Sequence, residues 1–355
     1  MLMERKPNIA VLGATGAVGQ ELIRLLEERQ FPVGSLKLLA SSRSAGTKIS
    51  SGGREYTVEE AVPDSFDNID IALFAGGSIS QVLAPEAVKR GAVVIDNSST
   101  YRMDPQVPLV IPEINPEDIA AHHGIIANPN CSTIIMLMAL KPIYDLSPIK
   151  RIIVSTYQAV SGAGKEGIHE LHEEVRASLS GQTYKPRILP SASLAVHYPI
   201  AYNVIPQIDV FLDNGYTKEE MKMVNETRKI LHDGNIGITA TTVRVPVVRS
   251  HAESIYIETE SPLSEEQIRT ALQSFPGTQL MDDPSHMIYP MPYATAGKDD
   301  VYVGRIRADL AEPRGINLWA SGDQIRKGAA LNAIQIAEVL IRSGLADRSS
   351  GRKVK

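Results

Sequence analysis

One cysteine, Cys131, stands in the whole 355-residue sequence, and its neighbours make it a candidate nucleophile. Asn128-Pro129-Asn130 precedes it, and Ser132-Thr133 leads into an apolar run from Ile134, so the thiol falls where a helix begins. The positive end of a helix draws a thiol toward thiolate, its reactive form. A lone cysteine is more often an inert buried residue, but the loop-to-helix setting favours the reactive reading. A single cysteine also excludes an intramolecular disulfide and a multi-cysteine zinc site, and it fits a reducing compartment.

A second group that could do chemistry is the turn Gly13-Ala14-Thr15-Gly16-Ala17-Val18-Gly19. Glycines let a backbone turn tightly and approach a pyrophosphate, whose charge is met by free N–H groups at a helix start. The spacing is G-x-x-G-x-x-G rather than the dinucleotide fingerprint G-x-G-x-x-G, so its position after a strand and before a helix carries the argument. We expect Gly13, Thr15, Gly16, Ala17 and Val18 to cradle a dinucleotide. At the end of the next strand, where an acid would hold a ribose 2′-hydroxyl, the chain has Ser41-Ser42-Arg43-Ser44. An arginine flanked by hydroxyls suits a 2′-phosphate, so Ser42, Arg43 and Ser44 favour NADP(H), although a solvated loop arginine would read the same.

Two other candidates fail on spacing. His169-Glu170-Leu171-His172 lacks the H-E-x-x-H interval, so no metal site is expected. Ser161-Gly162-Ala163-Gly164-Lys165 has Ala159 and Glu166 where a P-loop needs glycine and Ser or Thr, so ATP binding is rejected.

The elements that must hold these groups follow from hydrophobic periodicity. Asn8 to Leu12, Leu36 to Ala40, Asp70 to Phe74, Ala92 to Asp96 and Gly124 to Ala127 predict strands, with helices at Gln20 to Arg29 and Gln81 to Lys89. Such alternation predicts a Rossmann-like, doubly wound parallel sheet. From Arg151 the pattern becomes β-rich: Arg151 to Tyr157, Ile205 to Phe211, Thr239 to Val248, Ser254 to Thr259 and Val301 to Asp309. Helices at Lys165 to Leu179, Lys218 to His232 and Ser264 to Ser274 would cover a mixed sheet, and Asp283 to Asp300 reads as a loop. The fold class is therefore α/β with an α+β second domain. We expect a nucleotide-binding domain over residues 1–130, completed by a C-terminal helix at 324–345, and a catalytic and dimerisation domain over 131–323. Arg348 to Lys355 reads as a fraying tail.

Length alone favours two cores. Hydrophobic content of 43% with 22% charged residues is that of a globular protein. A net charge of -5 offers no global field for nucleic acid or an anionic membrane. Ile134 to Leu140 falls short of the roughly 20 residues a bilayer span needs. Met1 to Pro7 lacks the apolar core of a signal peptide, so a cytoplasmic location is expected.

Taken in order, the motifs resemble the aspartate-semialdehyde dehydrogenase family, especially the bacterial branch with an Asn-Pro-Asn-Cys-Ser-Thr segment. The resemblance spans nearly the whole chain and rests on Gly13 to Gly19, Asn97-Ser98-Ser99-Thr100-Tyr101-Arg102, Asn128 to Thr133, Gln158 with Ser161 to Gly164, and Arg244 with His251. It implies NADPH-dependent reductive dephosphorylation of aspartyl phosphate to aspartate semialdehyde, with release of inorganic phosphate, through a Cys131 thioester. That reaction serves lysine, threonine, methionine and diaminopimelate biosynthesis. By the same resemblance His251 is the acid/base group and Gln158 orients the acyl group. Arg244 pairs with the α-carboxylate, Arg102 and Lys222 bind phosphate, Glu219 faces the amino group and Asn130 lines the substrate site. Ser161, Gly162 and Gln324 contact the cofactor, and the protein is a homodimer or dimer of dimers. From spacing alone, Glu219 and Lys222 are an i, i+3 pair on a helix face, and the plainer reading is a solvent-exposed pair. Arg244 and His251 are an odd number apart, so one unbroken strand would point them to opposite faces; either Pro246 breaks the ladder or His251 lies beyond the strand end. An N-acetyl-glutamyl-phosphate reductase is the nearest alternative, and a non-catalytic NADP-binding sensor the alternative of a different class.

Overall fold

The computed structural model describes residues 5–345, which form two compact units, one ending at Pro129 and resuming at Ala329, the other running from Asn130 to Gly328. In the first unit β1 (Ile9–Leu12), α1 (Ala17–Glu28) and β2 (Leu36–Ala40) are followed by a small hairpin, β3 (Lys48–Ser51) with β4 (Arg54–Thr57), and by the short β5 (Glu59–Glu60). Then come β6 (Ile71–Phe74), α2 (Ser80–Lys89), β7 (Val93–Asp96) and β8 (Ile125–Ala127). The sheet order is β5-β2-β1-β6-β7-β8, and every pairing is parallel. Neighbours of β1 on both sides come later in the chain, so the sheet is doubly wound as predicted.

Strand β1 shows why both faces need cover. All four of its residues are buried, and they alternate between two cores. Ile9 and Val11 join Leu22 and Leu25 of α1, while Ala10 and Leu12 join Leu83 and Ala87 of α2.

The second unit starts with α3 (Cys131–Leu146), then β9 (Ile149–Gln158), α4 (Gly164–Leu179), α5 (Lys218–Ile230), β10 (Gly237–Arg244) and β11 (His251–Thr259). It continues with α6 (Glu265–Ser274), β12 (Thr278–Leu280), the single-turn α7 (Pro292–Thr295), β13 (Val301–Ala308) and β14 (Gly315–Gly322). The mixed sheet is ordered β10-β9-β11-β14-β13-β12. Along β9, Ile152, Val154, Thr156 and Gln158 are buried, whereas Ile153 and Tyr157 are exposed, so one face is packed and the other open. Helix α3 packs on β9, β11, β13 and β14, and α5 packs on β10. The last helix, α8 (Leu331–Ser343), adds Ile334, Ile336 and Leu340 to the first unit's core. Its buried Asn332 donates to the Val110 carbonyl at 2.9 Å and to Asn128 Oδ1 at 2.7 Å.

Several predicted elements need correction. The run Thr239 to Val248 is not one strand: β10 stops at Arg244, and β11 begins at His251, ahead of the predicted Ser254. Pro246 and the positive φ of Ser250 (75°) lie in the connection. Ile205 to Phe211 forms no strand, only isolated bridges from Ile205 to Arg244 and from Phe211 to Thr217, because Pro206 lacks a donor and Asp209 has φ 69°. Strand β14 went unpredicted although it lies inside the sheet, since its Gly-Ile-Asn-Leu-Trp-Ala-Ser-Gly run is glycine-bounded and carries polar Asn317 and Ser321 among its apolar residues. The run Gln324 to Ser343 is a π-turn over Arg326–Ala330 followed by α8, so Gln324 precedes the helix and belongs to the second unit. The predicted tail Arg348 to Lys355 lies outside the described residues.

Two glycines of the first turn have no room for a side chain. A Cβ on Gly13, whose φ is 82°, would lie 2.5 Å from the Ala75 carbonyl oxygen, and one on Gly19 would lie 2.1 Å from the Gly13 carbonyl oxygen. The helix start therefore rests directly on the turn. Gly19→Ala is expected to lower unfolding stability by about 3 kcal/mol and to weaken dinucleotide binding, as measured by chemical denaturation and cofactor titration; an unchanged denaturation midpoint would contradict this packing.

Candidate active site

Three neighbouring strand ends gather the predicted polar groups of the second unit. Gln158 closes β9 and is in register with Arg244, which closes β10; on the other side His251 opens β11, where Ala252 is in register with Tyr157. Arg244 and His251 thus come from different strands, which removes the odd-spacing conflict. Ala159, one residue past β9, ties them together. Its carbonyl accepts from Arg244 Nη1 at 2.8 Å and its N–H donates to His251 Nδ1 at 3.0 Å.

Helix α3 brings the sulfur. Cys131 is its first residue and Asn130 its N-cap, with Asn130 Oδ1 accepting from the N–H groups of Ser132 at 2.9 Å and Thr133 at 3.2 Å. Cys131 Sγ lies 3.5 Å from His251 Nε2. The sulfur side is half-buried, whereas His251 is fully buried and Arg244 and Gln158 nearly so.

The remaining support comes from α5. Thr217 caps it in a reciprocal box with Glu220, which sets the first turn carrying Glu219. Glu219 Oε1 accepts from Asn130 Nδ2 at 2.9 Å and Gln158 Nε2 at 3.3 Å, and Glu219 Oε2 accepts from Lys222 Nζ at 3.0 Å. Lys222 also reaches Asp209 Oδ2 at 3.2 Å. Glu219 is therefore buried at the site, contrary to the solvent-exposed reading that spacing alone supports.

Burial and charge set the protonation states. Burial by itself raises the Glu219 carboxyl, but the Lys222 charge and hydrogen bonds from Asn130, Lys222 and Gln158 outweigh it and hold the group at about 2. Burial, reinforced by the Arg244 charge and opposed by Glu219, pushes His251 down to about 3. Burial also lowers Arg244, while the Glu219 and Cys131 charges resist. At neutral pH the site holds a carboxylate, a guanidinium and an uncharged imidazole.

Two glycines wall the site. A Cβ on Gly162 would come within 2.7 Å of Arg244 Nη1 and 3.5 Å of His251 Nε2, and one on Gly328 within 2.9 Å of Cys131 Cβ. Gln324 accepts from the Ser250 N–H at 2.8 Å and donates to Ser161 Oγ, so the two residues expected at the cofactor are joined to each other. Sequence reasoning missed Gly328 and Glu226. The buried Glu226 carboxylate accepts from the Asn130 N–H at 2.6 Å. Its only sequence signal is the seven-residue interval from Glu219, which keeps both acids on one helix face.

Gly13, Thr15, Gly16, Ala17, Val18, Ser42, Arg43, Ser44 and Arg102 belong to the first unit. Gly16 is the N-cap of α1, with no side chain capping it and no acid in the first turn, so the amide groups there suit an anion. Thr15 Oγ1 donates to Ser44 Oγ at 3.5 Å, joining the glycine turn to the serine-arginine turn, where Ser42 and Arg43 are exposed. This cradle, too tight for a Cβ at Gly13 and anion-friendly at Gly16, fits a dinucleotide. Buried Arg102 donates to the Asn97 carbonyl at 2.8 Å.

One buried acid takes no part in this network. Glu253 lies two residues beyond His251 on the packed face, in register with Thr156, which is itself in register with Thr242. Neither Glu253 oxygen has a hydrogen-bond partner among the described residues, and burial raises its carboxyl well above 4.5. A raised folded value gives stability that is complete below about pH 4.5 and is lost as the pH climbs toward the folded value. Between the ordinary carboxyl value and the raised folded one, folding therefore takes up a proton at Glu253. Glu253→Gln is expected to raise the thermal midpoint by a few degrees at about pH 7.5, with the gap closing toward about pH 4.5, in paired calorimetric scans; equal midpoints at the higher pH would mean an ionised, partnered carboxylate.

Comparison with known proteins places this geometry. The family model for the semialdehyde dehydrogenase NAD binding domain matches residues 8–122, and that for the semialdehyde dehydrogenase dimerisation domain matches residues 140–327. The aspartate-semialdehyde dehydrogenase of Bacillus subtilis (strain 168) is 54% identical over 345 residues, covering 97% of this chain and 100% of the relative. That of Aquifex aeolicus (strain VF5) is 53% identical over 342 residues, covering 95% and 99%. The crystal structure of aspartate semialdehyde dehydrogenase II complexed with ASA from Vibrio cholerae superimposes with a TM-score of 0.90 at 48% identity, covering 96% of this chain and 99% of that one.

Proposed function

This chain belongs to the aspartate-semialdehyde dehydrogenase family, and from that membership we propose that it interconverts L-4-aspartyl phosphate and L-aspartate 4-semialdehyde through a thioester on Cys131. The observation that carries the reading is the Cys131 sulfur at a capped helix start, 3.5 Å from His251 Nε2. In the biosynthetic direction the Cys131 thiolate attacks the acyl phosphate carbon and phosphate leaves, forming the thioester. A nicotinamide cofactor, when bound, would supply the hydride that reduces the thioester, and the Cys131 hemithioacetal so formed would collapse to aldehyde and thiolate. The step serves the synthesis of lysine, threonine, methionine and diaminopimelate.

The chain's own residues divide the remaining work. Arg244, a buried guanidinium, takes the substrate α-carboxylate in a bidentate pair. Arrival of that carboxylate also offsets the positive charge that depresses His251. Glu219, held ionised, meets the substrate ammonium, and Asn130 and Gln158 fix its oxygens while lining the substrate site. Lys222 and Arg102 bind phosphate. The Gly13 to Val18 turn, Ser161, Gly162 and Gln324 hold the dinucleotide. Ser42, Arg43 and Ser44 select NADP, since a guanidinium between hydroxyls complements a 2′-phosphate and no acid stands there to repel one. The active form is a homodimer or dimer of dimers in the cytoplasm. No described helix is long and apolar enough to cross a membrane.

The N-acetyl-glutamyl alternative is disfavoured by Glu219, because an acetylated nitrogen carries no charge for a buried carboxylate to pair with.

Purified protein is expected to reduce NADP⁺ with aspartate semialdehyde only when phosphate is added, and Cys131→Ala to lower the rate by at least about 1,000-fold. Phosphate-independent turnover, or faster turnover of N-acetyl-glutamate semialdehyde, would reject the assignment. NADP binding without either activity would indicate a sensor. Arg43→Ala is expected to raise the KM for NADPH roughly tenfold while leaving that for NADH unchanged; equal effects on both cofactors would remove Arg43 from the 2′-phosphate site.

A further inference from the structure

We propose that Glu226 is a positioning residue for the nucleophile, holding the Asn130 N–H so that Cys131 keeps its place beside His251 while the Glu219 carboxylate turns to the substrate ammonium. The inference deepens the proposed function and rests on Cys131 being the nucleophile.

A helix start leaves N–H groups without intrahelical partners, and a reciprocal box satisfies the one on the N-cap with an acid or amide at the third helical residue. Helices α5 and α6 do this locally, with Glu220 answering Thr217 and Gln267 answering Ser264. In α3 the third residue is Thr133, whose hydroxyl has no hydrogen-bond partner among the described residues, and the first turn carries no acid. Only half of the box is local, where Asn130 Oδ1 accepts from the N–H groups of Ser132 and Thr133. Glu226 supplies the other half from a different helix, accepting from the Asn130 N–H at 2.6 Å.

Every polar group of Asn130 is then engaged. Its carbonyl accepts from the Ile134 N–H at 2.9 Å, and its Nδ2 donates to Glu219 Oε1 at 2.9 Å. The two acids on α5 meet different fates during the reaction. Glu219 faces the substrate ammonium, which competes with Asn130 Nδ2 for the same carboxylate. Glu226 lies roughly 10 Å farther along the helix axis, is buried, and holds backbone instead of a side chain. Its helix is fixed to the sheet without help from substrate, because Glu220 Oε1 accepts from the Thr242 N–H at 3.0 Å, two residues before Arg244. Asn130 and Cys131 share a peptide bond, so a displaced Asn130 backbone carries the sulfur with it, and misplacing a reacting atom by about 1 Å costs roughly 100-fold in rate.

The test pairs two variants of the full chain. Glu226→Asp keeps the charge but is one methylene too short to reach the N–H, whereas Glu226→Gln keeps the reach and an acceptor oxygen without the charge. Cys131 is the single cysteine, so iodoacetamide alkylation followed by mass spectrometry reads its reactivity with no other thiol to interfere. In substrate-free enzyme Glu226→Asp is expected to slow alkylation about tenfold and Glu226→Gln to stay within about threefold of the parent rate. With aspartate semialdehyde, NADP⁺ and phosphate, Glu226→Asp is expected to lose about 100-fold in kcat, with KM for the aldehyde moved less than about threefold because Arg244 and Glu219 still bind it. Parent-like alkylation by Glu226→Asp, or a turnover loss confined to KM, would overturn the proposal. Should Glu226→Asp not fold, the Gln variant decides alone, and a loss of more than about tenfold in its alkylation rate or kcat rejects positioning by an acceptor. Alkylation needs neither substrate nor cofactor, so its outcome is separate from whether aspartate semialdehyde is turned over.

Discussion

The Glu219 carboxylate is where three elements of the second unit meet, because an ion removed from water must be surrounded by donors or it will not stay ionised. Asn130 approaches from the start of α3, Gln158 from the end of β9 and Lys222 from one turn along α5. Each of these donors has a second tie. Asn130 caps the helix that begins at Cys131, Gln158 stands in register with Arg244, and Lys222 reaches Asp209. Displacing Glu219 would therefore disturb the nucleophile's helix and the arginine's strand together. Removing a partner from a buried charge costs about 3–5 kcal/mol, far more than losing an exposed ion pair.

The mixed sheet supplies the geometry this network needs. Parallel β10 and antiparallel β11 flank β9, so the end of two strands and the start of the third fall on one edge. Side chains at the aligned positions of that edge face the helices, and the backbone of Ala159 links two of them through its carbonyl and its N–H. Fixed backbone donors and acceptors need no reorganisation during a reaction, which is their advantage over flexible side chains.

Polar groups in the interior fall into two kinds. Glu219 and Glu226 are hydrogen-bonded carboxylates that hold the nucleophile's loop from two points on α5. Glu253 has no such partners among the described residues, and burial raises its carboxyl well above the usual range. One residue type thus has its carboxyl held low in one place and pushed up a short way off, and surroundings alone make the difference.

Much of this was written in local pattern. The alternation of apolar strands and helices up to Ala127, the glycine turn, the cap at Asn130 and the placing of Cys131 at a helix start all depend on neighbours a few residues apart, which a linear reading can see. The motif order from Gly13 to His251 likewise pointed to the family. What depends on partners far along the chain was not visible. The end of β10 at Arg244, the burial of Glu219, the contact of Gly328 with Cys131 and the split of the last helical run at Arg326–Ala330 each arise from pairing or packing across many residues. The sequence by itself determined which groups could react, because residue type and helix-start position are local properties. Only the tertiary structure decided their protonation and aim, because burial, opposing charge and the Ala159 N–H reach His251 from elements distant in sequence.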